Sequence, residues 1–214
     1  MAQAKVKRNI TYKEFGKRDK TVILDFIEKA YVSGWEHENE NSIKRLTKLY
    51  FYSLILMGKC RMVAVYRGQI VGVIFAGNRN RKNVMPVIAL KKQLLLLKLR
   101  LSKEGRVNIQ NLKQKLNMQE ELLQEAGIVS CREIFMLYVK DGFDKNSIGA
   151  KLIELAQVED TGKASVDLQV IAEQKREAAF FEKCGFHTVA EKEEMMEINR
   201  QRFREKMTLL QSCK

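Results

Sequence analysis

Asn146, Ser147 and Gly149 fall where a chain can hold an anion without help from a charged side chain. The stretch LYVKDGFDKNSIGAKLIELA, residues 137–156, follows a strand-like run over Ile134–Val139 with a tight turn through Asp141, Gly142 and Phe143. A helix comes next, because Ile148, Leu152, Ile153 and Leu155 recur at helical spacing. The first turn of a helix carries N–H groups that no carbonyl of the helix satisfies, and the summed peptide dipoles add partial positive charge there. The three small or polar residues occupy that turn, so the pattern predicts an anion site into which a pyrophosphate fits.

A second block, AAFFEKCGF, stands downstream at Ala178–Phe186. Together the two blocks resemble the GCN5-related N-acetyltransferase (GNAT) family, whose members move an acyl group from acyl-CoA to an amine. The family's strand Glu-x-x-x-Leu-x-Val is matched by Glu133, Leu137 and Val139. Its turn Gln/Arg-x-x-Gly-x-Gly/Ala spans Asp144–Gly149, with Asp144 where Gln or Arg is usual and Ser147 where the first Gly is usual. Its downstream Asn-x-x-Ala-x-x-Phe-Tyr-Glu-Lys-x-Gly-Phe runs from Gln174 to Phe186, with Phe181 in the tyrosine position. The resemblance covers residues 131–198 and extends to the hairpin Met62–Gly77.

The resemblance implies acetyl-CoA as acyl donor and a primary amine as acceptor, on a small molecule, a protein N-terminus or a lysine. The backbone of Leu137, Tyr138 and Val139 is expected to pair with the pantetheine arm as an added strand would. Lys145, Asn146, Ser147, Ile148, Gly149 and Ala150 are expected around the pyrophosphate, with Gln174 and Phe181 on the downstream helix also facing the cofactor. An amine with pKa near 10.4 is only about one part in two thousand neutral at pH 7, so a base helps. Glu133 stands where the family often has one. Its structural alternative is a strand carboxylate paired with Arg132 or a lysine. Phe181 has no proton to give the departing thiolate, which leaves Tyr138 as the tyrosine to weigh as acid.

Other reactive residues read more plainly. Cys184 beside Lys183 reads as a buried, inert thiol at a helix end. His37, in the run Trp35, Glu36, His37, Glu38, reads as a loop histidine near the acceptor side. Four widely spaced cysteines with no C-x-x-C, and only two histidines, argue against a zinc site.

The elements needed to position these residues are legible in outline. Ile10, Tyr12 and Phe15 mark a first strand. Thr21–Val32 and Ser42–Leu56 mark two helices, the first ended by Ser33 and Gly34. Met62–Tyr66 and Ile70–Ala76 form a hairpin turning through Arg67, Gly68 and Gln69. Ser165–Ile171 is a strand, Lys175–Lys183 a helix stopped by Gly185, and His187–Glu197 with Phe203–Leu210 a closing hairpin around Asn199 and Arg200. The fold class expected is α/β: a GNAT-like mixed sheet flanked by helices, with one parallel crossover.

Residues 81–128 are extra to that frame. Pro86 opens an apolar helix, Gly105 is expected to break it, and Asn108–Ala126 forms a second. The helical hairpin is inserted between the third and fourth strands and is expected to pack on the core or on a second copy of the chain, with a lid over the acceptor and a membrane-surface helix as alternatives. Only one proline interrupts the 214 residues, and no linker-like stretch exists, so a single domain is expected. No apolar run is long enough to span a bilayer and MAQAKVKRNI lacks a signal-peptide core, so a cytoplasmic protein is expected. The net charge of +13 is spread along the chain among acids, which reads as solvated faces rather than a nucleic-acid footprint. Two further readings stay open: a non-catalytic acyl-CoA-binding module, favoured by Asp144, Ser147 and Phe181, and a basic RNA-associated protein.

Overall fold

The computed structural model describes residues 9–32, 40–79, 83–127, 131–158, 166–198 and 201–212. Apolar alternation builds seven strands: β1 (Ile10–Glu14), β2 (Gly58–Tyr66), β3 (Gln69–Gly77), β4 (Arg132–Val139), β5 (Leu168–Ala172), β6 (Phe186–Ile198) and β7 (Gln201–Ser212). They form one sheet in the order β1-β2-β3-β4-β5-β7-β6. Every neighbouring pair is antiparallel except β4 and β5. That parallel step requires a crossover, supplied by α5 (Lys145–Gln157). The β2–β3 turn is tighter than expected: Arg67 and Gly68, at φ 49° and 78°, make it alone, and Gln69 already belongs to β3.

Helices cover both faces. On one, α5 and α6 (Lys175–Lys183) bury Ile148, Leu152, Ile153, Phe180 and Phe181 against Ile74, Ile134, Leu168 and Val170. On the other, α1 (Lys20–Ile27) and α2 (Glu40–Met57) bury Ile23, Phe26, Phe51 and Leu54 against Val73, Phe75 and Met136. The first helix does not run unbroken to Val32, because after Ile27 the backbone widens into a π-helical turn over Glu28–Val32. That turn re-aims the side chains that follow, Tyr31 among them. The proposed stops Ser33 and Gly34, and the Asn199–Arg200 turn, lie outside the described residues, as does Ser165 at the expected start of β5.

The insertion is two helices, α3 (Pro86–Leu101) and α4 (Lys103–Glu125), between β3 and β4. Gly105 does not break them. Ser102 does: its extended backbone leaves α3, and its hydroxyl accepts the Gly105 N–H at 3.0 Å as the cap of α4. Gly105 is needed for another reason, since a Cβ there would lie 2.2 Å from the Leu99 carbonyl oxygen. Leu99 and Ile109 pack on Leu46 and Leu49 of α2, while Met118 and Leu122 of α4 pack on Met207 and Leu209 of β7. The hairpin therefore clasps the sheet face between α2 and the closing strands. Among the described residues no helix is long and apolar enough to cross a membrane.

Candidate functional site

The centre of the sheet comes apart. β4 and β5 pair only through Arg132, Glu133 and Ile134 opposite Leu168, Gln169 and Val170. Beyond that point β4 continues from Phe135 to Val139 with no strand paired on that side among the described residues, while β5 stays with β7. A bulge drives the parting: Phe75 and Ala76 of β3 face Met136 and Ile134, so Phe135 is an extra residue in β4. Tyr31, from the π turn, donates its hydroxyl to the Phe135 carbonyl at 3.3 Å.

The start of α5 opens beside this parting. Asp144 is its cap, and one carboxylate oxygen accepts the N–H groups of Asn146 at 3.1 Å and Ser147 at 3.4 Å. The N–H groups expected to face an anion are thus taken up by the side chain of the helix's own cap residue. Lys145, Asn146, Ser147 and Ala150 are exposed, with the Lys145 ammonium 5.0 Å from the Phe180 ring centre. Ile148 and Gly149 are buried, and a Cβ on Gly149 would come within 2.8 Å of the Phe180 ring. Gly149 thus serves the contact between α5 and α6.

Phe181 points into the core, its ring 5.2 Å from that of Phe180 and 5.3 Å from that of Phe186. Gln174 is exposed at the cap of α6. Leu137 and Val139 face α5, whereas Tyr138 faces α1 with its ring 4.6 Å from Phe26. Burial and the nearby Asp141 carboxylate raise the Tyr138 phenol.

Glu133 is buried, and Arg79 holds both of its oxygens, Nε donating to Oε2 at 2.9 Å and Nη2 to Oε1. Gln119 of α4 accepts from the same guanidinium at 3.1 Å. Desolvation disfavours the Arg79 charge, and Glu133 more than restores it, leaving Arg79 above its ordinary pKa. The pairing partner is neither Arg132 nor a lysine, and Arg132 instead donates to the Ala156 carbonyl at 2.7 Å. Glu133 and Tyr138 stand five residues apart along β4, about 17 Å.

A second set of ionisable groups gathers at the parting itself, and sequence reasoning missed it. Glu173 follows β5 directly and Glu177 lies in the first turn of α6. Desolvation, and then Glu173, push the Glu177 carboxyl above its usual range. Desolvation with Glu177 and Glu173 pushes the Tyr31 phenol far up, and Tyr50, stacked on Tyr31 at 5.7 Å, is pushed up to about 12 by desolvation and Glu173. Lys115 of α4 reaches Glu173 at 3.0 Å and Glu205 at 3.1 Å, and these carboxylates outweigh its desolvation to hold it charged. Nothing local in the sequence marks these residues, since they come from separate elements. His37 lies outside the described residues. Cys184 is half-buried, and burial raises its thiol pKa against the lowering effect of Lys145, as an inert thiol requires. Among the described residues no cluster of three or more His, Cys, Asp or Glu side chains is placed to hold a metal ion.

No family model matches the chain. No curated protein matches it either. Solved structures do. An agmatine N-acetyltransferase, determined as a point mutant in its apo form, is 15% identical with a TM-score of 0.59, covering 95% of this chain and 98% of its own. A polyamine N-acetyltransferase of Drosophila melanogaster that catalyses formation of N-acetylagmatine is 14% identical with a TM-score of 0.57, covering 95% and 99%. The ribosomal-protein-S18-alanine N-acetyltransferase of Escherichia coli is 10% identical with a TM-score of 0.52, covering 95% and 92%. The fold is that of the GCN5-related N-acetyltransferases, with a helical hairpin inserted between β3 and β4.

Proposed function

We propose that this protein is an N-acetyltransferase that takes the acetyl group of acetyl-CoA and transfers it to a primary amine. The parting of β4 from β5 carries this reading. An unpaired main-chain edge in the middle of a sheet is an unusual cost to leave standing, because its N–H and C=O groups need partners. The pantetheine arm of CoA, with its two amides, has the chemistry to pair with Phe135–Val139 as a substitute strand. The pyrophosphate then falls at the start of α5, with Lys145 beside it. For that to happen Asp144 must release the N–H groups of Asn146 and Ser147, since two anions do not share one helix start.

The amine meets the thioester at the parting. In this reading the acceptor arrives as an ammonium ion and loses a proton before its lone pair attacks the acetyl carbonyl; the nitrogen keeps the acetyl group and the thiolate leaves with a proton from solvent. Two carboxylates compete as base. Glu133 is engaged through both oxygens by Arg79. Desolvation and Glu173 raise the proton affinity of Glu177, the direction that favours a general base, and it lies close enough to Tyr31 to perturb its phenol. Glu177 is therefore assigned the proton, and Glu133 the holding of Arg79. Tyr31, held uncharged by burial and the neighbouring carboxylates, has its O–H on the Phe135 carbonyl at the bulge and would have to turn from it to reach a thioester carbonyl there.

One observation favours the rival reading of a non-catalytic acyl-CoA-binding module, namely the Asp144 carboxylate already seated on the α5 amides. Titration calorimetry with acetyl-CoA, followed by thiol release in the presence of a panel of amines, separates the two. Binding with amine-dependent release of CoA supports the transferase. Binding with no release for any amine supports the module, and no binding at millimolar CoA removes both.

A further inference from the structure

The outer face of α3 is apolar where a surface helix should be polar. Val87, Leu90, Leu94, Leu97 and Leu101 are 49–76% exposed. Their spacing is 3-4-3-4, so at 100° per residue they lie within an arc of about 80° along some 21 Å of helix. The opposite face is already spoken for: Leu99 is fully buried against α2 and α4, with Leu96 beside it. The stripe is therefore a surplus and not the core-facing side of α3.

Its register is that of a coiled-coil seam. With Val87, Leu94 and Leu101 as a positions and Leu90 and Leu97 as d positions, the e positions are Lys91 and Lys98 and the g positions are Gln93 and Arg100. In two-helix seams those flanks choose the partner, because they lie over the apolar contact and pair across it. Every flank here is cationic or neutral, and α3 contains no Asp or Glu at all. A second copy of α3 would bring Lys91 against Lys98 when antiparallel and Lys98 against Gln93 when parallel, with no acid to pair with a lysine in either orientation. A bilayer would suit a broader apolar face, usually with aromatic residues, and α3 has none.

We propose that this stripe docks an amphipathic helix of a partner protein, one with branched aliphatic residues at its a and d positions and glutamate or aspartate on its flanks. α3 is held in place by its inner face, so the ordering cost of one of the two helices is already met by the fold. The partner would bury five exposed side chains and pair its acids with Lys91, Lys98 and Arg100.

The test uses the full chain and two labelled synthetic helical peptides of three heptads, identical at a and d, with glutamate in one and lysine in the other at e and g. Fluorescence anisotropy should show the glutamate peptide binding, weakening as salt rises, and the lysine peptide failing to bind. The double variant Leu94→Gln, Leu97→Gln should lose at least about tenfold in affinity with its melting temperature unchanged, because both residues are exposed. Failure of the glutamate peptide to bind, equal binding by the lysine peptide, or full binding by the double variant overturns the proposal. So does a dimer in sedimentation that the double variant dissociates, which assigns the stripe to a second copy. Binding to phosphatidylserine vesicles that the glutamate peptide cannot displace assigns it to a lipid surface and overturns the proposal as well.

Discussion

Arg79 and Glu133 are joined through two hydrogen bonds, and the pairing fixes the end of β3 to the start of β4 beneath α4. Removing one partner of such a pair leaves the other desolvated and uncompensated. Glu133→Gln should therefore destabilise the fold by about 3 kcal/mol, the lower part of the usual range because Arg79 keeps some contact with water. Chemical denaturation measures this. Any loss of turnover should follow the folded fraction and keep the parent's pH profile. A full-stability variant that loses about 10²-fold in rate at pH 7 and recovers as pH rises would instead restore Glu133 as the base.

Asp144 holds the α5 amides that a pyrophosphate would need under the proposed function. Asp144→Ser keeps a capping oxygen and removes the charge, so CoA affinity should rise by about fivefold, near 1 kcal/mol, with helix stability little changed. Calorimetry on the two proteins checks it, and unchanged or weaker binding would place the phosphates elsewhere. Asp144→Arg should also strengthen binding but lose the cap, at about 1 kcal/mol of stability.

A Cβ on Gly149 would meet the Phe180 ring at 2.8 Å. Gly149→Ala should cost about 1–2 kcal/mol by pressing a methyl into Phe180, and Phe180→Leu in the same chain should recover part of it. Gly149→Glu is expected to unfold the protein, so loss of CoA binding in that variant carries no information about the phosphate. Recovery in the double variant, read by thermal melting, is the decisive measurement.

Glu177 sets a pH dependence whose sign can be worked out. Its carboxyl pKa is raised above the ordinary value of 4.5, so the folded state binds the proton more tightly than the unfolded state does. Stability from this group is present below about 4.5 and is lost as pH rises through the folded value. Glu177→Gln should flatten that slope and leave the protein more stable at neutral pH. If Glu177 is the base, the same variant should lose about 10²-fold in kcat and the acidic limb of its pH–rate profile. A more stable variant with the parent's rate would leave Glu177 as a half-buried carboxyl in the first turn of α6 only.

Much of this architecture was legible in the chain. Local periodicity placed the hairpin, α5, α6 and the two inserted helices within a few residues, because those elements are set by which side chains can share a face. The start of α5 was legible for the same reason: caps and first turns are local. The error at Gly105 was of another kind. A glycine reads as a breaker in sequence, yet its small size here serves a close approach between two chain segments, and closeness across a corner is not a local property.

What the tertiary structure alone decided is which groups meet. Glu133 was singled out by its place in a motif, but its partner Arg79 lies 54 residues away, brought there by the β3–β4 pairing. Tyr31, Tyr50, Lys115, Glu173 and Glu177 have no common motif and no regular spacing. They meet because the strands part at the Phe135 bulge, a π turn re-aims Tyr31, and the inserted α4 lies across the sheet. Desolvation and charge coupling depend on distances through space, and a single sequence encodes those only through the fold it adopts.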